Sequence, residues 1–338
     1  MKPSLGRLVS CAFLWLHLLC AFAQEPEKTQ GKISITTKLV VLSVTVRDAA
    51  GNLVADLASE DFRVFDDGVE QTIDVFAKEG QPISFVVLID NDVNGQEGVQ
   101  MVRSLRAVLA GISLQDETMV CRFDTVFYAG EGFISNGDRL MAELKSAQSE
   151  IKPTPKYIPQ PVVSCPASAI GPPCLPAPTY AGSRPTKALD DAIFSAAELL
   201  HNVNRGRRKI ILVISDGANE PKLNKHNFES VSERLLAENI SVFNLAVGSD
   251  SSKKRFSRLE RYAQISGGDT YYASKSRAME RLYSRIMEEA RHQYTLGYVP
   301  AGNDASANYH RVETNVLRDG LIAQTRQGYY SRPAEEEK

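Results

Sequence analysis

The chain has 338 residues, of which 43% are hydrophobic and 24% are charged, and it carries a formal net charge of −2. These values are ordinary for a globular protein large enough for one big domain or two smaller ones. Binding to nucleic acid or to an anionic membrane normally requires a basic excess, which this chain lacks, so we expect neither partner.

Residues 1–23 have the pattern of an export signal. Lys2 and Arg7 give a positive start, Leu8–Cys20 is apolar, and Ala21-Phe22-Ala23 offers a cleavage site between small residues. The apolar stretch is too short for a membrane span, and no later segment is long and apolar enough to cross a bilayer. We therefore expect a mature protein that is secreted or periplasmic and has no transmembrane span.

Residues 31–80 are predicted to form a small β element. Residues 33–47 are rich in β-branched side chains, which predicts one strand or two with a bend. Two alternating segments, Phe62–Phe65 and Gln71–Phe76, flank the turn Asp66-Asp67-Gly68 and predict a hairpin.

Residues 82–292 follow a different pattern, in which strands alternate with helices. Apolar runs predict strands at 83–90, 118–128, 208–215, 240–247 and 269–273. Helical spacing predicts helices near 99–109, 137–149, 187–202, 225–238, 254–265 and 276–291. This alternation predicts an α/β fold built on a doubly wound, mostly parallel sheet. Residues 293–332 then return to a period of two, and we expect these strands to pack with the N-terminal β element, because chain ends usually lie close together.

A Pro-rich insertion at 151–185 interrupts the α/β region, and long insertions of this kind carry function or disorder. Cys165 and Cys174 lie within it, and export permits disulfides. A Cys165–Cys174 bridge that staples the insertion is favoured over two free thiols. The third cysteine of the mature chain, Cys121, lies in an apolar alternation and is predicted to be buried and unpaired.

Oxygen-bearing side chains follow the predicted strands at the point where each strand ends. Asp90, Asp92 and Asn94 follow the strand 83–90, Asp216 follows the strand 208–215, and Thr186 precedes the helix between them. Taken singly, Thr186 fits a helix N-cap and Asp216 a plain turn. Ligands of such sheets bind beyond the carboxyl ends of the strands, so we expect all five at one edge. Hard oxygen ligands suit Mg²⁺, Ca²⁺ or Mn²⁺.

The layout resembles the von Willebrand factor type A domain, a Rossmann-like fold. In that family a metal-ion-dependent adhesion site is built from Asp-x-Ser-x-Ser after the first strand, a Thr on a middle loop and an Asp after the fourth strand. Asp90, Thr186 and Asp216 match three of these positions, within Thr-Lys-Ala-Leu-Asp-Asp-Ala-Ile (186–193) and Ile-Leu-Val-Ile-Ser-Asp-Gly (211–217). The leader 46–71 and the tail segments 294–298 and 326–330 are similar to those of a family of secreted acidobacterial proteins termed von Willebrand factor A-related.

The chain departs from the family pattern where Asp92 and Asn94 replace the two serines. Two outcomes are physically reasonable. In the first, Asp92 ligates the metal directly, which strengthens cation capture and weakens the pull of the metal on an acidic partner. In the second, repulsion among Asp90, Asp92 and Asp216 prevents metal binding unless a cation offsets it.

The resemblance implies an exported protein-binding or adhesion module and not an enzyme. A divalent cation held by Asp90, Asp92, Asn94, Thr186 and Asp216 would accept an Asp or Glu carboxylate of a protein partner, and the insertion 151–185 is expected to border the same rim. The alternative is a structural protein of the cell envelope with a vestigial metal site and assembly through its β flanks. A metal-dependent hydrolase is disfavoured, because the sequence offers no general base besides the site carboxylates.

Overall fold

The computed structural model describes residues 39–78, 81–91, 93, 112–150, 187–203, 206–247, 253–273, 276–300 and 308–331. All of them lie in one structural unit, Lys38–Lys338. The predicted export signal, the helix near 99–109 and the insertion 151–185 with Cys165 and Cys174 fall outside these residues.

Strands and helices alternate in the middle of the chain and strands dominate both ends. The strands are β1 (Val40–Arg47), β2 (Phe62–Asp66), β3 (Val69–Gln71), β4 (Val75–Ala77), β5 (Ile83–Asp90), β6 (Glu117–Phe123), β7 (Phe127–Tyr128), β8 (Arg208–Ser215), β9 (Ile240–Val247), β10 (Thr270–Ala273), β11 (Tyr294–Tyr298), β12 (Tyr309–Val316), β13 (Ile322–Gln324) and β14 (Gly328–Tyr330). The helices are α1 (Gly137–Glu150), α2 (Leu189–His201), α3 (Phe228–Ala237), α4 (Lys253–Ser266) and α5 (Ser276–Arg291), with short 3₁₀ turns at Ser59–Asp61 and Pro221–Leu223.

A six-stranded sheet in the order β10-β9-β8-β5-β6-β7 forms the centre of the α/β region. Its pairings are parallel except for the antiparallel edge strand β7. Strands β5, β8 and β9 are buried at every residue. Burial on both faces is what continuous apolar runs predict, so the predicted α/β fold class is confirmed.

Helices cover the sheet on both sides. On one face, α1 and α5 contribute Leu140, Leu144, Ile286 and Met287 to a core with the inward residues of β5, β8 and β9. On the other face, α2, α3 and α4 form a second core with the same strands. Cys121 is a buried free thiol in this second core, as predicted. In the described part of the chain, no helix has both the length and the apolar character that a bilayer crossing needs.

The flanks of the chain form two antiparallel four-stranded sheets, in the orders β13-β1-β11-β4 and β14-β12-β2-β3. In each sheet an N-terminal strand pairs with a C-terminal one, β1 with β11 and β2 with β12. Alternate residues of these strands, including Leu42, Phe62, Tyr294 and Tyr298, fill a third core between the sheets.

Turn chemistry breaks two segments that the sequence pattern predicts as single strands. The segment 118–128 is a hairpin, because the Asp124 carboxylate accepts the Val126 backbone N–H at 2.9 Å and reverses the chain into antiparallel β7. The segment Gln71–Phe76 also divides. Its first residue ends β3, whereas Phe76 lies in β4, which pairs with β11 in the other sheet, and packs on Phe62 and Tyr294.

Candidate functional site

The parallel pairing of β5 with β8 brings Asp90 and Asp216 to the same edge of the sheet. Ile89 pairs with Ile214, so Asp90 ends its strand beside Ser215 and one residue from Asp216. The side chain of Asp90 is fully buried and that of Asp216 is 9% exposed. Asp90 and Asp216, the first and last residues of the predicted ligand set, therefore lie at the ends of neighbouring strands.

The other three members of the predicted set cannot be placed. Asp92, Asn94 and Thr186 lie outside the described residues. Their part in a metal site stays a prediction.

Lys187, which the sequence analysis does not assign to the site, lies between the two carboxylates. Its Nζ donates to Asp90 Oδ2 at 2.7 Å and to Asp216 Oδ1 at 2.9 Å. The Lys187 side chain is fully buried. A single ammonium group thus joins the ends of two neighbouring strands.

The main chain around Lys187 is held by the loops on either side. The Ala188 N–H donates to the Asp124 carbonyl at 2.9 Å, and the Lys187 carbonyl accepts the Glu220 N–H at 2.9 Å. Ala188 occupies the N-cap position of α2 and has no capping side chain, so Asn219 Oδ1 accepts the Leu189 N–H instead, at 3.0 Å. These contacts fix the position from which the lysine side chain reaches the carboxylates.

Other described groups also donate hydrogen bonds to the two carboxylates. The Ser215 hydroxyl donates to Asp90 Oδ2 at 2.6 Å, and the Ala218 N–H donates to Asp216 Oδ1 at 3.0 Å. On the outer side, Arg255 Nη1 donates to Asp216 Oδ2 at 3.3 Å. Among these groups, two carboxylates face one ammonium and one guanidinium, so their formal charges cancel.

Gly217 allows α4 to begin close to the centre. Its φ is +73°, and a Cβ atom at this position would lie 2.6 Å from the Arg255 carbonyl oxygen. Any side chain here would therefore push the start of α4, with Arg255, away from Asp216.

The environment keeps Lys187 charged. Burial alone would lower the pKa of its amine, but attraction to the Asp90 and Asp216 carboxylates outweighs burial and raises the pKa above its ordinary value. The group between the strands is therefore an ammonium ion at neutral pH.

A third buried carboxylate, Asp190, links the surrounding loops to the helices. Asp190, in the first turn of α2, accepts hydrogen bonds from Arg258 Nε at 2.6 Å and from the Tyr262 hydroxyl at 2.7 Å, both on α4. It also accepts the side-chain amide of Asn219, in the loop after β8, at 2.9 Å. The edge of the sheet around Lys187 is thereby cross-linked.

Exposed basic side chains lie in two described segments at this edge of the sheet. Four exposed cations lie in the loop after β8 and in the first turn of α4, namely Lys222, Lys225, Lys254 and Arg255. In the same two segments Glu220 is the exposed carboxylate. We call these four cations the basic rim.

A divalent cation and the Lys187 ammonium do not fit this centre together. A Mg²⁺ or Ca²⁺ ion bound by both Asp90 and Asp216 would need each carboxylate oxygen within about 2.0–2.6 Å. The ammonium nitrogen already lies within 2.9 Å of an oxygen of each. The described residues of the centre therefore do not fit the metal that the resemblance implies, unless the lysine leaves.

A different group of side chains in the antiparallel sheets has the composition of a metal site. Donor atoms of Asp66, Asp67 and His310 lie within 4.8 Å of one another. Asp66 Oδ2 accepts the hydroxyls of Tyr298 and Tyr329, at 3.0 and 2.8 Å. His310 Nδ1 lies 2.9 Å from Asp67 Oδ2 and 3.8 Å from Asp66 Oδ1. Within the described residues a histidine–carboxylate hydrogen bond explains this geometry without a metal.

The charge of the predicted site could have identified Lys187 from the sequence. Two buried carboxylates at one sheet edge need a cation, and a lysine stands in the sequence directly after the predicted ligand Thr186. The sequence signal for Arg255 is weaker. It consists only of a basic residue in the first turn of α4, the helix that follows the next strand, β9.

No protein-family model and no curated relative matches the chain. Several solved structures resemble it. A von Willebrand factor type A protein from Catenulispora acidiphila is 8% identical, with a TM-score of 0.46, over 82% of this chain and 74% of that one. An aerotolerance-related membrane protein from Bacteroides fragilis is 13% identical, with a TM-score of 0.42, over 61% of this chain and 99% of that one. The pilus adhesin SpaC from Lactobacillus rhamnosus GG is 8% identical, with a TM-score of 0.43, over 86% of this chain and 48% of that one. At such values the likeness concerns the course of the backbone, and no functional residue is transferred from these proteins.

Proposed function

We propose that the chain is an exported protein-binding module that captures an acidic segment of a partner at the carboxyl edge of its parallel sheet. The observation that carries this proposal is the basic rim of Lys222, Lys225, Lys254 and Arg255 around a buried, charge-balanced centre. Clustered surface cations attract carboxylates and speed the encounter with an acidic partner.

Arg255 is the group best placed to contact the partner directly. Its side chain is 52% exposed, and it makes one contact with Asp216, at 3.3 Å. A guanidinium has five N–H donors and binds carboxylates in a two-pronged geometry, so donors remain for an Asp or Glu of the partner. Lys187 is buried and acts indirectly, because it neutralises carboxylates that would otherwise repel an acidic ligand.

The sequence also predicts a competing mechanism at the same edge. In that mechanism a divalent cation held by Asp90, Asp92, Asn94, Thr186 and Asp216 accepts the carboxylate of the partner. Binding through a cation is abolished by a chelator, whereas binding through Arg255 and its neighbouring lysines is weakened by salt and not by a chelator.

The proposal includes export and excludes catalysis. The export signal 1–23 and the resemblance of leader and tail to the secreted von Willebrand factor A-related family support a place outside the cytoplasm. Among the described residues, the acid–base candidates of the site are Asp90 and Asp216, and the ammonium of Lys187 engages both. We therefore propose no reaction for this site.

A pull-down from native cell envelope tests the rim. The bait is the mature chain, and the test variant is Lys222→Glu/Lys225→Glu/Lys254→Glu. A matched control, Arg139→Glu/Lys145→Glu/Arg311→Glu, changes three exposed cations elsewhere by the same total charge.

We expect the wild type and the control to retain the same partner with or without chelator, and the rim variant to lose it. If the wild type loses the partner when chelator is added, the result would contradict the proposal and favour the cation mechanism. Loss in the control but not in the rim variant would instead favour the structural alternative, since Arg311 lies on β12.

A further inference from the structure

We propose that Lys187 is a built-in replacement for the divalent cation, so that the carboxylate centre is complete without metal. The inference goes beyond partner binding. It concerns what holds the ends of β5 and β8 together.

The Lys187 ammonium occupies the position that a bridging cation would take. Lys187 Nζ lies 2.7 Å from Asp90 Oδ2 and 2.9 Å from Asp216 Oδ1, so it bridges the same pair of carboxylates that would share a cation. Both contacts are charge-assisted hydrogen bonds of normal length.

The side chains of Lys187 and Asp90 are fully buried, and Asp216 is 9% exposed. A buried charge is tolerated only when it is paired and hydrogen-bonded. A metal entering this centre would have to expel the ammonium and break both of its hydrogen bonds.

Asp90 and Asp216 contribute two formal negative charges, and Lys187 and Arg255 contribute two formal positive ones within hydrogen-bond distance of them. An added divalent ion would leave these described groups with an excess of two positive charges. Removal of the lysine would instead leave facing carboxylates beside the Ser215 hydroxyl, which are hard oxygen donors of the kind that Mg²⁺ and Mn²⁺ bind.

The proposal therefore predicts that Lys187→Ser converts a cation-independent centre into a cation-binding one. The test is a Mn²⁺ titration followed by electron paramagnetic resonance, together with thermal melts in Mn²⁺ and in chelator. We compare the wild type, Lys187→Ser, Lys187→Ser/Asp216→Asn and the control Lys225→Ser, which removes an exposed lysine of the basic rim.

The wild type and Lys225→Ser should melt at the same temperature in Mn²⁺ and in chelator. Lys187→Ser should melt lower in chelator and recover by roughly 3–5 °C at a hundredfold excess of Mn²⁺ over its Kd. This recovery should be lost in the double variant.

Two results would overturn the proposal. One is a rise in the melting temperature of the wild type with Mn²⁺ that disappears in Asp216→Asn. The other is a folded Lys187→Ser variant that binds no Mn²⁺. If Lys187→Ser folds neither in chelator nor in Mn²⁺, the wild-type titration still decides. A wild-type Mn²⁺ signal that is lost in His310→Ala and kept in Asp216→Asn belongs to the group Asp66, Asp67 and His310 and supports a metal-free centre.

Discussion

Ser215 makes a contact at the centre that can be tested by removing a single atom. Its hydroxyl is buried and donates to Asp90 Oδ2 at 2.6 Å, the same oxygen that accepts the Lys187 ammonium. Ser215→Ala leaves that fully buried carboxylate with one donor fewer, and hydrogen bonds to charged groups contribute about 1.5–3 kcal/mol. We expect the free energy of unfolding in urea to fall by this amount.

The control for this prediction is Ser257→Ala, which removes an exposed hydroxyl that donates to the Lys254 carbonyl. It should change stability by no more than about 0.5 kcal/mol. Equal stability of the two variants would mean that Ser215 does not support the centre.

Residues of the site differ in how far the sequence predicts them. Asp90 and Asp216 are predictable, because each directly follows an apolar strand and the carboxyl ends of parallel strands meet at one edge. The need for a cation and the place of Lys187 next to Thr186 make that residue a candidate, but the sequence does not predict that its side chain reaches both carboxylates, since the reach of a long side chain depends on where its main chain is held. Here the Asp124 carbonyl and the Glu220 N–H hold the residues at the start of α2, and neither contact has a local sequence signal.

Asp116 joins three elements and gives the fold a pH dependence. It accepts the N–H groups of Ile83 at 2.9 Å and Ser113 at 2.7 Å, and its carboxylate pairs with Arg291 at the end of α5. Burial would raise the pKa of Asp116, but the hydrogen bonds from Arg291 and the two N–H groups outweigh it and lower the pKa below its ordinary value.

The sign of this effect follows from the lowered pKa. A carboxylate whose pKa is lower in the folded state adds stability above its unfolded pKa, which is about 3.9, and loses it as the pH falls through the folded value. Asp116→Asn should therefore cost about 2 kcal/mol near pH 7. The difference from wild type should shrink below about pH 4.

Urea unfolding at a series of pH values measures this difference. Asp319→Asn, at an exposed position, is the control and should parallel the wild type throughout. If the difference in the free energy of unfolding between Asp116→Asn and wild type widens as the pH falls, the lowered pKa of Asp116 would be contradicted.

Elements are predictable where periodicity is long and uniform. The strands β5, β8 and β9 and the helix α5 begin and end at or within a residue of the predicted bounds, because a buried strand or an amphipathic helix imposes one period throughout. The predictions are wrong where a turn interrupts a run of residues with high strand propensity, as at Asp124, whose carboxylate accepts the Val126 N–H. One Asx turn outweighs the strand propensity of its neighbours.

Arg326 ties the antiparallel sheets to the α/β region of the molecule. Its guanidinium donates to the Leu236 carbonyl at the end of α3 and to the Val41 carbonyl in β1, both at 3.0 Å. Burial lowers the pKa of Arg326 to about 10. One buried side chain thus links distant parts of the sequence, although the Leu236 carbonyl also accepts the Asn239 N–H at 3.3 Å.

Arg326→Met keeps much of the side-chain volume and removes one donor from each of these carbonyls. Hydrogen bonds from a charged group contribute about 1.5–3 kcal/mol each, and the Leu236 carbonyl keeps the Asn239 N–H, so we expect a loss of roughly 2–4 kcal/mol in urea unfolding followed by circular dichroism. Arg311→Met is the matched control, since that side chain is 72% exposed. A loss no larger than that of the control would show that the two regions are joined by apolar packing alone.

At the scale of the whole molecule, the sequence predicts the class of the fold better than the contacts between its layers. Alternating strands and helices predict the doubly wound sheet, whereas the division of the flanking strands between two antiparallel sheets depends on long-range pairings such as β1 with β11. The local sequence does not specify such pairings, because a strand with alternating apolar residues can bury its apolar face equally well beside several different partner strands.

A crystal structure of the wild type grown with excess Mn²⁺, with anomalous data collected near the manganese edge, tests most directly whether a lysine ammonium or a metal ion joins Asp90 to Asp216 in the native protein. We predict continuous density for the Lys187 side chain between the two carboxylates and no anomalous peak there. An anomalous peak bridging Asp90 and Asp216, with Lys187 turned away, would contradict the account.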